Sequence, residues 1–348
     1  MIRTLMQTLH GSLAVGAALV VVLASAAAAD EADDFYKGKT VSIIVGHEVG
    51  TGFDIYGRTL QRHLGRHIPG NPIIVVQNMV GASGINAANW LYNIAPKDGT
   101  VVATFVHTVP FEPLMGNNAA KFEAAKFTWI GNMEESVAVC GVSKASGIVR
   151  FEEMRSRETI FGATGATGPL VKSALAVKNL LGARMKVVSG YQGSASVKVA
   201  IQRGEVHGIC GLPMSTITSS WRDDYESGNF KAIIQLSGRK GQEGLKDVPH
   251  VDDYAKSEDD RQVYGLIFGT QALGRIYVSP PAMPAARKAA LRSALLATMK
   301  DPQFIVDAAK TQIDISPMAG EEVEAFIARL SAAAPAVVER AKQAFKAD

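Results

Sequence analysis

The chain has 348 residues, with 36 Lys and Arg against 33 Asp and Glu, and 47% of its residues are hydrophobic. The nearly balanced charge argues against a role in binding nucleic acid or a polyanionic membrane surface. Only two cysteines occur, Cys140 and Cys210, which excludes a cysteine-based zinc cluster and a disulfide-dense scaffold.

The first 29 residues have the pattern of a secretory signal peptide. Arg3 precedes a mostly apolar run at residues 13–23, and the run ends in small residues of the A-x-A type before the charged residues from Asp30 onward. We expect cleavage near Ala29 and a periplasmic location. The apolar run is short for a membrane span, and an uncleaved membrane anchor is the alternative. Cleavage leaves about 319 residues, enough for two domains.

The first part of the mature chain alternates strands, glycine-rich loops and helices. The predicted strands are residues 40–45, 73–77 and 100–106. Glycine-rich loops follow the first two strands, at residues 46–54 and 81–84. Tyr56, Leu60 and Leu64 are spaced four apart, which predicts a helix after the first loop. This succession is typical of a parallel α/β sheet.

The same pattern recurs after residue 125. The further predicted strands are residues 129–130, 137–142, 159–163, 186–189, 206–210 and 231–237. Glycine-rich loops at 164–169 and 190–193 each precede a predicted helix, and a polar stretch at 238–261 is expected at the surface. The C-terminal part is predicted to be helical, over about 302–310 and 320–345, with Pro335 kinking or splitting the last helix.

The glycine-rich loops are candidates for binding an anion. A glycine loop between a strand and a helix brings free backbone N–H groups to the helix start, where the helix dipole also favours negative charge. In open α/β sheets such loops line the crevice at the carboxyl ends of the strands. Two loops in each half suggest one small anion held between two lobes. Alternatively, the glycines serve only as residues with positive φ.

Other ligand classes fit the sequence less well. The loop Gly50-Thr51-Gly52 begins like a dinucleotide fingerprint, but the third glycine position falls on Ile55 and the second strand ends in Gln77-Asn78 without an acidic residue. Neither a G-x-x-x-x-G-K-[ST] phosphate loop nor a G-x-S-x-G nucleophile elbow occurs in the sequence. We expect no cofactor.

Four histidines and one glutamate near the predicted cleft or on the first helix are candidates for metal binding or for hydrogen bonds to a ligand. His63 and His67 are four apart on the first helix, but no His-Glu-x-x-His motif accompanies them, so a solvated helix face is expected and no metal site. His107 lies just past the third strand, where it could donate a hydrogen bond to a carboxylate or be a plain loop residue. His47 and Glu48 flank the first loop at its mouth.

The two cysteines lie in separate predicted strands. A disulfide between Cys140 and Cys210 requires the strands at 137–142 and 206–210 to lie side by side. The alternative is that both are small buried apolar residues.

The order and spacing of the glycine-rich segments resemble the substrate-binding proteins of tripartite tricarboxylate transporters, the Bug family. The matching segments are the strand 41–45 with a loop ending in Asp54, 75–78 leading into 81–84, the turn 95–100, the loop 161–165, and 191–193 with 204–206. The first loop departs from the family pattern, since His47-Glu48-Val49 replaces a proline-rich portion and Phe53 precedes the aspartate.

The resemblance implies a two-domain α/β clamshell of the type II periplasmic-binding-protein kind, with a central sheet flanked by helices in each domain. Because the α/β pattern restarts after residues 105–128 and a new apolar strand follows residues 211–232, we expect the chain to cross between domains there. The approximate boundaries are 30–110 and 233–348 for the first domain and 111–232 for the second, with packing of the C-terminal helices on either lobe left open. Such a protein captures a small carboxylate in the interdomain cleft and delivers it to a membrane permease of one large and one small subunit. It is not an enzyme, and we expect a monomer that binds no nucleic acid.

The resemblance also implies a set of ligand-binding residues, to which His107 is added from its position. The set is Val49, Gly50, Thr51, Gly52, Asp54, Ala82, Ser83, Gly84, His107, Thr164, Gly165, Ala166, Thr167 and Tyr191. Because a carboxylate would repel an anion, Asp54 is assigned to helix capping or to a ligand hydroxyl, amine or water. Two other functions stay open at this point: a binding component that feeds a sensor kinase or receptor, and a secreted hydrolase of small esters or amides.

Overall fold

A computed structural model describes residues 34–164, 169–237, 240 and 244–347. The predicted signal peptide and three predicted ligand-binding residues, Gly165, Ala166 and Thr167, lie outside this part of the chain. The described residues form two β-sheets, one of six strands and one of five. We call each sheet with its flanking helices a lobe, so the fold is the two-domain α/β fold that the sequence predicted.

The first lobe contains the six-stranded sheet, in the order β11-β4-β10-β3-β1-β2. Its strands are β1 (Thr40–Val45), β2 (Ile73–Asn78), β3 (Val101–Thr104), β4 (Thr128–Asn132), β10 (Ile276–Ser279) and β11 (Met318–Ala319). Strand β1 is parallel to β2 and β3, whereas β10 is antiparallel to β3 and β4. The sheet is therefore mixed and not wholly parallel as predicted. Since β10 follows a return from the second lobe, no β-α-β crossover sets its direction.

The second lobe contains the five-stranded sheet, in the order β7-β6-β8-β5-β9. Its strands are β5 (Ala138–Ser143), β6 (Thr159–Gly162), β7 (Met185–Val188), β8 (Gly208–Pro213) and β9 (Phe230–Gln235). Strand β6 is parallel to β7 and β8, and β5 is antiparallel to β8 and β9.

Helices cover both sheets. In the first lobe and C-terminal part they are α1 (Gly52–Leu64), α2 (Ile85–Asn93), α7 (Glu258–Ile267), α8 (Ala285–Lys300), α9 (Pro302–Lys310), α10 (Gly320–Ser331) and α11 (Pro335–Gln343). In the second lobe they are α3 (Pro169–Leu181), α4 (Ser194–Gln202), α5 (Met214–Ser220) and α6 (Arg222–Glu226). In the described part of the chain, none of the helices combines the length and apolarity that a membrane span requires.

Helix α1 illustrates how the sequence pattern leads to the fold. Tyr56, Leu60 and Leu64 are buried, as their spacing predicted, and they pack against β1 in a core cluster on one face of the first sheet. Gly57 allows the helix to approach the sheet, since a Cβ there would lie 3.1 Å from a methyl carbon of Val45. The close approach fixes the loop between β1 and α1 at the carboxyl edge of the sheet.

The structure bears on two predictions for the C-terminal part, the division of the last helix and the surface location of a polar stretch. Pro335 splits the last predicted helix, because α10 ends at Ser331 and α11 begins at Pro335. The polar stretch at 238–261 was predicted as surface, and its described residues are mostly exposed or half-buried. It also contains the start of helix α7. Ser257 accepts a hydrogen bond from the backbone N–H of Asp260 and caps that helix.

The strand memberships bear on where the chain passes between the lobes. Strand β4 belongs to the first sheet, although it falls in the predicted second domain at 111–232, and β9 continues to Gln235 in the second sheet. The domain bounds themselves stay a prediction. These memberships favour passages near residues 133–137 and just after residue 235.

One hydrophobic cluster runs through both lobes. It contains Ile44 and Ala103 of the first sheet together with Cys140 and Phe161 of the second. Separate clusters cover the other face of each sheet. The lobes therefore share a buried apolar interface in addition to their chain connections.

The two cysteines are joined by a disulfide. Cys140 of β5 and Cys210 of β8 are directly paired across the two antiparallel strands. The side-by-side strands that the sequence analysis required for a bridge are thus present, and the bridge closes a segment of 70 residues within the second lobe.

Candidate functional site

The first glycine loop is held in place by Asp54, whose side chain is buried. The carboxylate accepts hydrogen bonds from the backbone N–H of Gly50 at 2.8 Å, from Nδ2 of Asn78 at 2.9 Å and from Nε of Arg58 at 2.9 Å. Burial by itself would raise the pKa of Asp54, but the bonds from Arg58, Gly50 and Asn78 outweigh it and lower that pKa. The aspartate therefore fixes the loop to helix α1 and strand β2 through these hydrogen bonds.

This arrangement changes which loop N–H groups are free. The N–H of Gly50 is occupied by Asp54, although Gly50 was among the predicted ligand-binding residues. In the part of the chain that the structure describes, the N–H groups of Gly52 and Phe53 donate no hydrogen bond, as expected for the first turn of a helix. The start of α1 thus retains donors and the positive end of its dipole.

The second glycine loop has an unusual backbone. Four consecutive residues have positive φ: Gly81 at 137°, Ala82 at 46°, Ser83 at 54° and Gly84 at 96°. Side chains at Ala82 and Ser83 make this conformation costly, by roughly 1 kcal/mol or more each. Strain of this kind is found mainly where surrounding packing holds a backbone in one functional geometry.

Close packing of three loops explains how that geometry is held. A Cβ on Gly84 would lie 2.9 Å from Cβ of Phe105, and a Cβ on Gly46 would lie 3.1 Å from Cα of Gly84. Both distances are shorter than ordinary contacts, so the glycines permit the loops after β1, β2 and β3 to touch. The three loops together form a single platform at the carboxyl edge of the first sheet.

A cavity of about 400 Å³ lies between this platform and the second lobe. From the platform it is lined by His47, Ser83 and His107, and from the second lobe by Lys172 and Ser173 of α3. Nε2 of Gln271, in the segment after α7, lies 3.4 Å from Oγ of Ser173 and links the two sides. The cleft predicted between two lobes is therefore present as a cavity with polar groups from both.

The C-terminal segment completes one wall of this cavity. Phe345 lines it, and Nζ of Lys172 lies 5.7 Å from the centre of the Phe345 ring. The segment is attached to α3 by Nδ2 of Asn179, which donates to the carbonyl oxygens of Ala344 and Lys346. The aromatic ring is thus held beside the only lysine that lines the cavity among the described residues.

Both histidines of the platform are uncharged near neutral pH. Burial, reinforced by the positive charge of Arg275, lowers the pKa of His107 to about 4. The same two causes lower the pKa of His47. A neutral imidazole retains one N–H donor and one acceptor nitrogen, so His107 can donate to a ligand oxygen without contributing charge.

Arg275, which the sequence analysis did not single out, is a cation beside the first loop. Its guanidinium lies 4.6 Å from the ring centres of Phe53 and Tyr56, and the Phe53 ring also stacks on His47 at 4.2 Å. Nη1 lies 3.6 Å from a carboxylate oxygen of Glu134. In the sequence, Arg275 is marked only by its position as a basic residue directly before the mostly apolar strand β10.

Several buried polar atoms near the platform lack hydrogen-bond partners among the described residues. Within the described residues, Nδ1 of His47, Oγ1 of Thr104, Oε2 of Glu134 and Nε of Arg275 form no hydrogen bond. Buried atoms of this kind are normally satisfied by water or by a bound group. Burial raises the pKa of Glu134, although Arg275 opposes that shift. The platform therefore has unused hydrogen-bonding capacity.

The predicted ligand-binding residues fall into three groups. Ser83 and His107 line the cavity, and Ala82 and Gly84 flank Ser83. The first-loop residues lie on the exposed side of the platform or behind it; they are Val49, Gly50, Thr51, Gly52 and Asp54. In the second lobe Thr164 and Tyr191 are neighbours that do not line the cavity, and Gly165, Ala166 and Thr167 lie outside the described residues. The binding roles of all of them stay predictions.

His63 of α1 and His67 of the short 3-10 turn that follows it both face aspartates, Asp307 of α9 and Asp301 at the start of α9. The predicted helix thus ends before His67. Nε2 of His63 lies 2.7 Å from Asp307, and Nε2 of His67 lies 2.8 Å from Asp301. The predicted solvated face is therefore an interhelical contact in which both imidazoles approach carboxylates. In the part of the chain that is described, no group of three or more potential metal ligands is assembled.

A larger cavity, of about 790 Å³, lies elsewhere, near the chain passages between the lobes. It is lined by Glu135 and Leu236 of those passages and by Phe326 of α10. None of the predicted ligand-binding residues that the structure describes lines it. The smaller cavity beside the glycine loops is therefore the better candidate for the functional site.

Comparison with solved structures identifies proteins of the same fold. A TctC solute-binding protein from Polaromonas has a TM-score of 0.69 at 18% identity, covering 89% of this chain and 98% of its own. BugD, a periplasmic binding protein, has a TM-score of 0.57 at 18% identity, with coverage of 89% and 98%. MatC of Rhodopseudomonas palustris, solved with malate, has a TM-score of 0.54 at 16% identity, with coverage of 88% and 99%. No protein-family model and no curated protein matches the sequence.

The two mixed sheets with a cavity between them define the fold of periplasmic solute-binding proteins. More narrowly, the structures that this chain resembles over nearly its whole described length are TctC-like and Bug-type binding proteins. The resemblance stated from the glycine-rich segments is thereby confirmed at the level of fold. Both of these neighbours are named as binding proteins.

Proposed function

We propose that this protein is a periplasmic solute-binding protein that captures a small carboxylate between its lobes and delivers it to a tripartite tricarboxylate-type membrane transporter. The observation that carries the proposal is the cavity at which the strained Ser83 loop and His107 of the first lobe face Lys172 of the second. The pattern of a signal peptide at residues 1–29 supports the periplasmic location.

The chemistry of the cavity suits a carboxylate. The hydroxyl of Ser83 and a neutral N–H of His107 are donors on the platform side, and Lys172 is a cation on the opposite side. Cavities of this size, with a few convergent polar groups, are typical ligand sites. The structural neighbours solved with malate and with adipate support a carboxylate over a neutral solute.

Closure of the two lobes is the mechanism that this arrangement supports. A ligand that contacts Ser83 and Lys172 together binds the closed arrangement more tightly than an open one, and only such differential affinity shifts the equilibrium. The passages near residues 133–137 and after residue 235 are the proposed hinges. The closed form would then be the state that the permease recognises.

A thermal-shift and calorimetric screen tests this function. The exported protein, refolded to remove carried-over ligand, is measured against mono-, di- and tricarboxylates, aromatic acids and acidic amino acids. At a hundredfold excess over Kd, a ligand adds about 2.7 kcal/mol of stability, which raises Tm by several degrees. A panel without any shift contradicts carboxylate capture.

A pair of lysine variants locates the binding. Lys172→Met removes the cation that lines the cavity, and we expect an affinity loss of about tenfold, the value of one charge-assisted hydrogen bond. Lys186→Met, at an exposed position of β7, is the matched control and should bind as the parent does. Co-purification with membrane permease subunits, as opposed to a sensor kinase, tests the delivery step.

A further inference from the structure

The lining of the cavity is divided between polar and apolar side chains. The apolar part, which we call the apolar wall, consists of Val106, Phe111, Met115, Leu266, Ile267 and Phe345. All six belong to or pack against the hydrophobic cluster that runs through both lobes. The cavity therefore opens onto the edge of the protein core on one side. His47, Ser83 and His107 of the platform, with Lys172 opposite them, form what we call its polar end; the other polar lining residues are Thr108, Glu112, Ser173, Thr270 and Gln271.

The charges that line the cavity are few. Among the described lining residues, Lys172 is the one lysine or arginine and Glu112 the one acid. Nδ2 of Asn117 donates to Glu112 at 2.8 Å, which holds that carboxylate in place. Lys172 and Glu112 together give the lining no net charge, so each ligand carboxylate adds one negative charge, and a ligand with two or three carboxylates adds more than a monocarboxylate does. Any further carboxylate would also have to be desolvated against the apolar wall.

We infer that the ligand is a monocarboxylate with an apolar body, of the aryl-alkyl or medium-chain alkyl class, bound with its carboxylate at the polar end. The inference rests on the proposed function, because it places the carboxylate at the Ser83 loop and Lys172. The hydrocarbon part lies on the apolar wall, and Phe345 contacts it. Hydroxylated di- and tricarboxylates bind more weakly, since their polar groups face side chains that offer no hydrogen bonds.

A homologous series of ligands tests this assignment by calorimetry. The probes are acetate, butyrate, hexanoate and phenylacetate, with malate and citrate as polar comparisons. We expect Kd to fall by about fourfold for each added methylene until the wall is covered, with phenylacetate among the tightest ligands. If malate or citrate binds most tightly, the inference is wrong and the proposed function stands. If no carboxylate binds, the proposed function fails as well.

Two phenylalanine variants separate contact with the ligand from effects on stability. Phe345→Ala shortens the apolar wall, and we expect phenylacetate to bind about tenfold more weakly. Acetate should lose less affinity, since it touches Phe345 only through the contact of the ring with Lys172. Phe326→Ala is the matched control, because Phe326 packs against the same hydrophobic cluster but lines the larger cavity. Equal losses for phenylacetate in both variants, or equal losses for acetate and phenylacetate in Phe345→Ala, would overturn the assignment.

A second substitution keeps the test independent of the C-terminal segment. Met115→Gln changes the polarity of the wall with little change in side-chain length. We expect it to weaken hexanoate binding several-fold and to leave acetate unaffected. A variant that binds hexanoate as the parent does would contradict the role of the wall.

Discussion

The carboxylate of Asp54 accepts a hydrogen bond from the backbone N–H of Gly50 at 2.8 Å and so ties the first glycine loop to helix α1. The same carboxylate is bonded to Arg58 and Asn78, which connects the loop to the neighbouring strand β2. The presence of an acidic residue at a loop that was predicted to bind an anion is thereby explained, since its charge is compensated by Arg58 and does not face the cavity.

Replacement of Asp54 by Asn tests this supporting role. Both carboxylate oxygens of Asp54 accept hydrogen bonds, whereas an amide has only one acceptor oxygen and carries no charge. We therefore expect the free energy of unfolding to fall by about 2–3 kcal/mol, the value of hydrogen bonds to a buried charged group. Urea denaturation measures it. Asp259→Asn, at an exposed position of α7, is the control and should change stability by less than about 0.5 kcal/mol. Equal losses of stability in Asp54→Asn and Asp259→Asn would contradict the proposed support of the loop by Asp54.

Glycine at position 84 is required for two separable reasons, its positive φ and its contact with Phe105. Gly84→Ala should cost more than about 2 kcal/mol, because backbone strain and overlap with Cβ of Phe105 add. Gly182→Ala is the matched control: its φ is 72°, but a Cβ there meets no atom within 4 Å, so only the backbone cost of about 1 kcal/mol is expected. Chemical denaturation of both variants gives the difference, and similar values would mean that the loops do not pack as described.

The low pKa of His107 makes stability depend on pH. The imidazole is held neutral in the folded state with a pKa of about 4, while the unfolded chain binds a proton near 6.5. Its stabilising effect is therefore complete above about pH 7 and is lost as pH falls from 6.5 towards 4. Between pH 7 and pH 5 this amounts to about 2 kcal/mol.

The variant His107→Asn isolates this contribution. Its free energy of unfolding should fall less steeply between pH 7 and pH 5 than that of the parent, by the same amount. Urea titrations at the two pH values measure the slopes. Parallel curves for the two proteins would show that His107 does not titrate in this way.

Arg275 should act on both platform histidines through its charge. Removal of the guanidinium in Arg275→Met leaves burial as the remaining cause of their low pKa values, so we expect the pKa of His47 and of His107 to rise. Titration of the imidazole resonances by NMR measures both. Arg261→Met, at an exposed position of α7, is the control. Unchanged histidine pKa values in Arg275→Met would contradict the electrostatic link.

The disulfide should stabilise the second lobe. By restricting a segment of 70 residues in the unfolded chain, a bridge between Cys140 and Cys210 contributes about 4 kcal/mol. We expect a reductant to lower the urea midpoint of the parent by a corresponding amount. A double Cys→Ala variant should already have the lower midpoint and should not respond to reductant. A parent that is insensitive to reductant while unfolded would argue against the bridge.

The elements that depend on local pattern were predictable from the sequence. The spacing of Tyr56, Leu60 and Leu64 predicted α1 and its buried face, and Pro335 predicted the division of the last helix. Strand order was less accessible, since the placement of β4 and β10 in one sheet depends on contacts between distant segments. Local periodicity contains no information about which lobe a strand joins.

The residues of the candidate site were likewise predicted only in part from the sequence. The glycines indicated the loop at 81–84, the family resemblance indicated Ser83 within it, and the position after β3 indicated His107; Ser83 and His107 line the cavity. Arg275 and Phe345 were missed, because one lies just before a strand and the other near the C-terminus, far from either glycine loop in sequence. Their role arises from tertiary packing, through the Phe53 and Tyr56 rings in one case and Asn179 in the other.

The run of left-handed residues from Gly81 to Gly84 has a consequence for how such a protein can diversify. Few amino acids tolerate these backbone angles, and at Gly84 even a methyl group has no room. Substitutions there would be eliminated through loss of folding before they could alter ligand preference. New specificities should therefore arise by exchange of cavity side chains such as Val106, Met115 and Phe345, while the loop from Gly81 to Gly84 stays the same in descendants with different ligands.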